Sequence, residues 1–319
     1  MKTTVLMLSG LALLSACADN DISDTRVEAG MIRFESGIQT KGGPVTGTQF
    51  TGGTQVGVYA LENPGGGIPV WTDAMDGSAN NLLMGNVVCT ANGNGGLTYD
   101  PAKMYKDVAK YSFFGYYPYS ATITAPATGQ SPKLACTFQT TPSDQVDYMY
   151  ATPVENQGPS NNAQVLKFNH ALTQVTVKLI NGTTKKQTLN SLTIHAPGSA
   201  TLDISNGTWS SPGALATYHL YGPAAGKEIA ANASYLVEGQ LMLLPVSAEG
   251  TAYTFDMSVT EEGGSTPTDK TGLRLTLPSG GMKAGYSYEY TITYGASSIQ
   301  LSTSVTEWQY VLGPGIAVK

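Results

Sequence analysis

The chain has 319 residues, of which 13% are charged and 41% hydrophobic, with 37 glycines. Charged residues make up roughly 25% of an ordinary soluble domain, so this is a low-charge chain, and its apolar content excludes disorder. A net charge of −6, from 23 acidic and 17 basic residues with no cationic cluster, excludes an electrostatic grip on nucleic acid. The 18 Tyr outnumber the 7 Phe and 3 Trp, and with abundant Gly, Ser and Thr they favour strands and turns over helices. The length suggests two domains, each able to bury its own core.

In chain order, residues 1–16 read as a secretory signal: Lys2, an apolar stretch from Val5 to Leu14, then small residues, too short to span a bilayer. Leu14-Ser15-Ala16-Cys17 resembles the lipobox of bacterial lipoproteins, which places lipidation on Cys17 and cleavage just before it. That cleavage would leave 319 − 16 = 303 residues on an acyl anchor. Residues 17–30, with Asp19, Asp21 and Asp24, form an acidic tether that cannot join a core. The run also resembles an acidic export tag; a solvated linker explains it equally well.

Period-two alternation then recurs along the chain, and period 3.6 does not. Strands are expected at MIRF with Ile32 and Phe34, at QVGVYAL, from Phe168 through Leu179, at TFDMSV, at LRLTL with Leu273, Leu275 and Leu277, and at YSYEYTI. Turn clusters separate them: NPGGG at 63–67, NGNGG at 92–96, EEGG at 261–264 and PSGG at 278–281. Without helix-length crossovers, short alternating strands imply packed antiparallel sheets rather than βαβ units. PVENQGPSNN at 153–162 lacks apolar periodicity, so the expected domains are 31–160 and 161–319. Aromatics occupy both faces of 111–119, which fits a strand buried on both sides; a sugar-stacking surface with Trp71 or Trp209 is the functional alternative.

With Cys17 lipidated, Cys89 and Cys136 remain, and the reading favours unpaired thiols although secretion permits a disulfide. His170, His195 and His219 lie at no metal-ligand spacing, and His170 is expected to cap or pack. Glu261 and Glu262 read as a solvated hairpin end rather than an acid–base pair. There is no Gly-x-Ser-x-Gly elbow, and the glycine clusters precede no helix. Neither an enzyme nor a metal or other cofactor is expected.

Several motifs recur in a characteristic order: the lipobox, MIRFESG with ThrLysGlyGly at 40–43, PheThrGlyGlyThrGlnValGlyValTyrAla at 50–60, TyrSerPhePheGlyTyrTyrProTyr at 111–119, AspTyrMetTyrAla at 147–151, PheAsnHisAlaLeu at 168–172, AlaGlyTyrSerTyrGluTyrThrIle at 284–292 and a late Trp308. Together they resemble the fimbrillin family of Bacteroidetes, the pilin and tip-adhesin precursors. The resemblance implies an all-β fold of two transthyretin-like Greek-key β-sandwich domains in tandem. It further implies export as an outer-membrane lipoprotein and assembly into surface fimbriae with other fimbrial subunits. A trypsin-like protease would remove the first strand, and a strand of another subunit would fill the groove. Here the displaced strand would be 31–38 with Ile32 and Phe34 inward, and the cut would follow Lys41, where the family more often has Arg. Arg33 lies inside the strand, and a cut at Arg26 would leave the strand in place. Either residues 298–305 donate a strand or the chain is a terminal subunit that only accepts. The competing functional reading is a monomeric surface lipoprotein that binds glycans; a host or glycan ligand is compatible with both.

Overall fold

The computed structural model describes residues 30–38, 48–63, 70–71, 81–106, 109–223, 225–295 and 299–307. It is all-β, with one 3-10 turn at Pro142–Asp144 among the described residues. The first half contains β1 (Phe34–Ile38), β2 (Gln55–Asn63), β3 (Leu82–Ala91), β4 (Gly96–Thr98), β5 (Lys110–Tyr117), β6 (Lys133–Thr137), β7 (Met149–Thr152), β8 (Val154–Gln157) and β9 (Gln164–His170). The second contains β10 (Thr173–Asn181), β11 (Gln187–Pro197), β12 (Ser199–Asp203), β13 (Trp209–Ser210), β14 (Leu215–Tyr221), β15 (Lys227–Ile229), β16 (Ser234–Leu236), β17 (Leu241–Leu243), β18 (Thr254–Glu261), β19 (Thr268–Arg274), β20 (Tyr286–Tyr294) and β21 (Ile299–Glu307).

The first sheet runs β2-β3-β4-β1-β9-β7-β5, and β5 pairs back onto β2. The hydrogen-bonded circuit therefore closes on itself, and closure leaves no free edge within it. Most of its neighbours are antiparallel; β1 and β9 run parallel, from Phe34 opposite Gln164 to Ile38 opposite Phe168. The second half packs one sheet, β16-β10-β20-β21 with β17 also on β10, against another, β14-β11-β18-β19 with β15 also on β11. Its buried apolar residues belong to one shared core.

β2 and β5 form a wall between two cores. Val56, Val58 and Ala60 with Tyr111 and Phe113 face the closed sheet's interior. Tyr59 and Leu61 with Phe114 and Tyr116 face the core that continues into the second half. This explains why both faces of the 111–117 strand are aromatic: each buried ring removes apolar area worth roughly 1.5–3 kcal/mol, and there is core on either side to receive it. Gly57 lies opposite Tyr116, and a Cβ there would sit 2.0 Å from the ring, so only glycine fits.

Two expectations shift. The apolar run from Phe168 through Leu179 is not one strand: Ala171 and Leu172 break it into β9 and β10, which lie in different sheets. Periodicity could not reveal the break because both residues are buried. Likewise LRLTL contributes only its start to β19, which ends at Arg274. Relative to the boundary expected at 160, β9 remains in the first sheet, paired with β1 and β7. The halves also interlock, since β6 pairs with β12 across them, Ser199 opposite Thr137 through Asp203 opposite Lys133.

Side chains lock the same seam. Gln145 behaves like a strand residue toward Met242, accepting from its amide at 2.6 Å and donating to its carbonyl at 3.1 Å. Asp203 takes Ser131 Oγ at 2.6 Å, Ser205 N at 2.9 Å and an ion pair with Lys133. Burial alone would push the Asp203 carboxyl up, but these hydrogen bonds together outweigh it and hold it below the usual carboxylate range. A lowered folded value means that its stabilisation is complete above the ordinary carboxylate range and is lost as pH falls through the folded value. Asp203→Asn should therefore cost about 1–3 kcal/mol at neutral pH. The gap to wild type should shrink on acidification, as measured by urea unfolding at neutral pH and again at a pH below the ordinary carboxylate range.

Candidate functional site: the first strand and its groove

In IleArgPheGluSerGlyIle the inward row is Ile32, Phe34, Ser36 and Ile38, with 0%, 2%, 5% and 5% exposure, while Glu35 faces solvent. Ser36 and Ile38 thus extend the inward row beyond the two residues singled out from sequence, and the alternation itself carried that signal. The small Ser36 satisfies its hydroxyl by donating to Gly95 O at 3.2 Å, as a buried hydroxyl must.

The two sides of the strand are held differently. On one side β9 provides a continuous parallel ladder, with Gln164 N donating to Arg33 O at 2.7 Å just before it. On the other, β4 is only three residues long and pairs with Phe34 and Glu35 alone. The remaining amides reach separate segments: Ile32 N to Lys103 O at 2.9 Å, Ser36 N to Gly95 O at 2.7 Å and Ile38 N to Thr48 O at 2.9 Å. Because β4 is short, a cleft of about 310 Å³ opens beside Met31–Glu35, bounded by Leu97 and Tyr99.

Phe34 fills an aromatic socket. Its ring meets Phe113 edge-on at 5.3 Å and 78°, and Tyr99 at 5.8 Å. The Tyr99 hydroxyl donates to Ile32 O at 2.7 Å, and burial pushes the phenol up. Neither Tyr99 nor β9 was identifiable as a partner of this strand from sequence, because both pairings are long-range and unmarked by any local motif. Burying Ile32, Phe34 and Ile38 contributes roughly 4–9 kcal/mol on area alone, comparable with the whole stability of many domains. Without β1 the groove would expose both this apolar lining and the β9 ladder.

Cys17, Arg26 and Lys41 lie outside the described residues. Arg33 has its carbonyl engaged by Gln164. Cys89 and Cys136 are free and buried, and burial pushes both thiols up to about 12. His170 Nδ1 meets Asp147 at 2.7 Å, both side chains fully enclosed, and desolvation raises the Asp147 carboxyl while His170 opposes that rise. His195 pairs with Asp256 at 2.9 Å. Glu261 pairs with Lys185 in solvent. Trp71 is packed against Tyr59 and Phe114 in the core. Phe34→Ala should lower the stability of the chain by about 3–5 kcal/mol in urea unfolding, since its socket cannot collapse onto the missing ring.

Comparison with known proteins places these features in context. A model of a family described as fimbrillin-like matches residues 44–308. The protein named "Putative fimbrium subunit Fim1C" of Bacteroides uniformis is 26% identical over 324 aligned positions, covering 97% of this chain and 96% of its own. The crystal structure of a fimbrial protein from Bacteroides vulgatus shares the fold, with a TM-score of 0.67 at 15% identity over 88% of this chain and 100% of that one.

Proposed function

The chain belongs to the fimbrillin-like family, and on that premise we propose that it is a fimbrial subunit made as a lipidated precursor and assembled by strand exchange. In this reading residues 1–16 direct export, Cys17 carries the outer-membrane anchor, and a trypsin-like protease cuts after Lys41. Removal of 31–38 then opens the β1 groove to a strand of another subunit. The two halves are read as transthyretin-like sandwiches in tandem; the two facing sheets of the second half, which share one core, support this for that half.

The observation that carries the proposal is the position of β1. It alone joins β4 to β9 in the closed circuit, so its loss exposes one template ladder and one apolar slot, the features a complementary strand can satisfy. Lys41 follows β1 by three residues, since 41 − 38 = 3, which puts the proposed cut between the plug and the rest of the subunit.

A donor with matching chemistry exists in the same chain. Among the described residues β21 pairs only with β20, at the edge of its sheet. Its alternate residues Ile299, Leu301, Thr303 and Val305 repeat the order of Ile32, Phe34, Ser36 and Ile38: aliphatic, large, small hydroxyl, aliphatic. Val305 is 45% exposed, so this strand is less deeply held than β1. The pattern supports donation by 299–305 over a subunit that only accepts.

The test is electron microscopy of cells expressing wild type or Lys41→Ala, with N-terminal sequencing of surface protein. Wild-type fibres should contain subunits beginning at Gly42, and Lys41→Ala should abolish them. Assembled fibres that retain the segment from Cys17 to Lys41 would sink the reading.

A further inference from the structure

We propose that a cavity over Trp209 binds a neutral pyranoside. The cavity, about 290 Å³, lies in the second half between the β12–β13 region and the segment after β17. It shares no residue with the β1 groove, so the proposal stands independently of strand exchange. Its lining combines the half-buried Trp209 and the buried Leu244 and Tyr253, which we take as an apolar floor, with the exposed hydroxyl residues Ser210, Ser247 and Thr251, which we take as its rim.

The platform is fixed before any ligand arrives. Trp209 Nε1 donates to Ala171 O at 2.7 Å, and the ring meets Phe138 at 5.7 Å and 71° and Tyr148 at 6.3 Å and 89°. An indole held by a hydrogen bond and two aromatic neighbours loses little freedom on binding, which spares the usual ordering cost. Yet Trp209 remains only half-buried, unlike Trp71, whose ring the core encloses.

The lining decides the ligand class. No charged side chain lines the cavity among the described residues, so a charged ligand would be desolvated without a partner. The electron-rich face of an indole attracts weakly positive C–H groups. A pyranose offers such a C–H face and a belt of hydroxyls, the same two chemistries that floor and rim present. A proline-rich peptide needs a groove of successive exposed aromatic ridges, whereas here Tyr253 is buried, Trp209 is the one half-buried aromatic in the lining, and the volume of about 290 Å³ falls near the lower end of the roughly 300–1,000 Å³ usual for small-molecule sites.

The experiment titrates the full chain with the methyl glycosides of glucose, galactose and mannose, read by saturation-transfer NMR. At least one should saturate in the millimolar range. Trp209→Leu should weaken it at least about tenfold, and the rim pair Ser247→Ala with Thr251→Val should weaken it less. The proposal is overturned if none of the three glycosides saturates. It is equally overturned if Trp209→Leu binds undiminished with unchanged thermal unfolding, or if an oligoproline peptide saturates and the glycosides do not. Should Trp209→Leu fail to fold, the rim pair decides, and undiminished binding by that variant overturns the proposal.

Discussion

Closure of the first sheet depends on a strand supplied from the far end of the sequence that forms it. β1 and β9 pair in parallel, although nearly the whole first half of the chain lies between them. A parallel pair needs a long crossover, and here the crossover is the remainder of the circuit itself. The sheet thus closes by bringing its first strand to its last, and β1 touches β9 by a ladder but β4 by only two residue pairs. Its covalent link to the rest of the fold is the segment 39–47. A strand so placed is central in the sheet yet peripheral in the chain, the arrangement that the proposed strand exchange would use.

What keeps the remainder together is the wall of β2 and β5. Their alternation assigns Val58 and Phe113 to one core and Tyr59 and Phe114 to the other, so neither strand can slip by one residue without inverting both interiors. The seam reinforces this through the β6–β12 pairing and the Gln145–Met242 hydrogen bonds. Removing β1 would strip residues from the first core alone, because Ile32, Phe34 and Ile38 all belong to it. The second core, and with it the β20–β21 edge, is insulated by two intervening buried strands.

Much of this was legible in the sequence where the signal was local. Alternation located β2, β18 and β20, and glycine-rich turns separated β18 from β19. The aromatic run at 111–117 announced burial on both faces. Long-range pairing left no such mark. Nothing around Phe168 indicates that β9 should parallel β1, and the break at Ala171–Leu172 is hidden because both flanking strands are apolar and both residues are buried. The inward direction of Ile32 and Phe34 could be read from alternation, but the Tyr99 and Phe113 socket could not, since it depends on which strands are neighbours. Trp209 could be picked out as an aromatic of interest; only the fold distinguishes its half-open setting from the closed one of Trp71.

The proposed strand exchange raises a question of direction that energetics alone does not answer. An incoming strand with the same apolar order as β1 would recover much of the same burial, so the exchange is close to balanced in free energy. While β1 remains tethered, its effective concentration at the groove is in the millimolar range or higher, as expected for a short linker. A strand on a separate subunit cannot match that from solution. Under the proposed mechanism, cutting the tether would change the competition without altering a single contact in the groove: the released segment would become a bimolecular ligand and dilute away, while a donor fixed in a neighbouring subunit would gain the avidity that β1 had lost. Proteolysis at Lys41 would supply that irreversible bias, and the folded precursor would stay closed until it occurred.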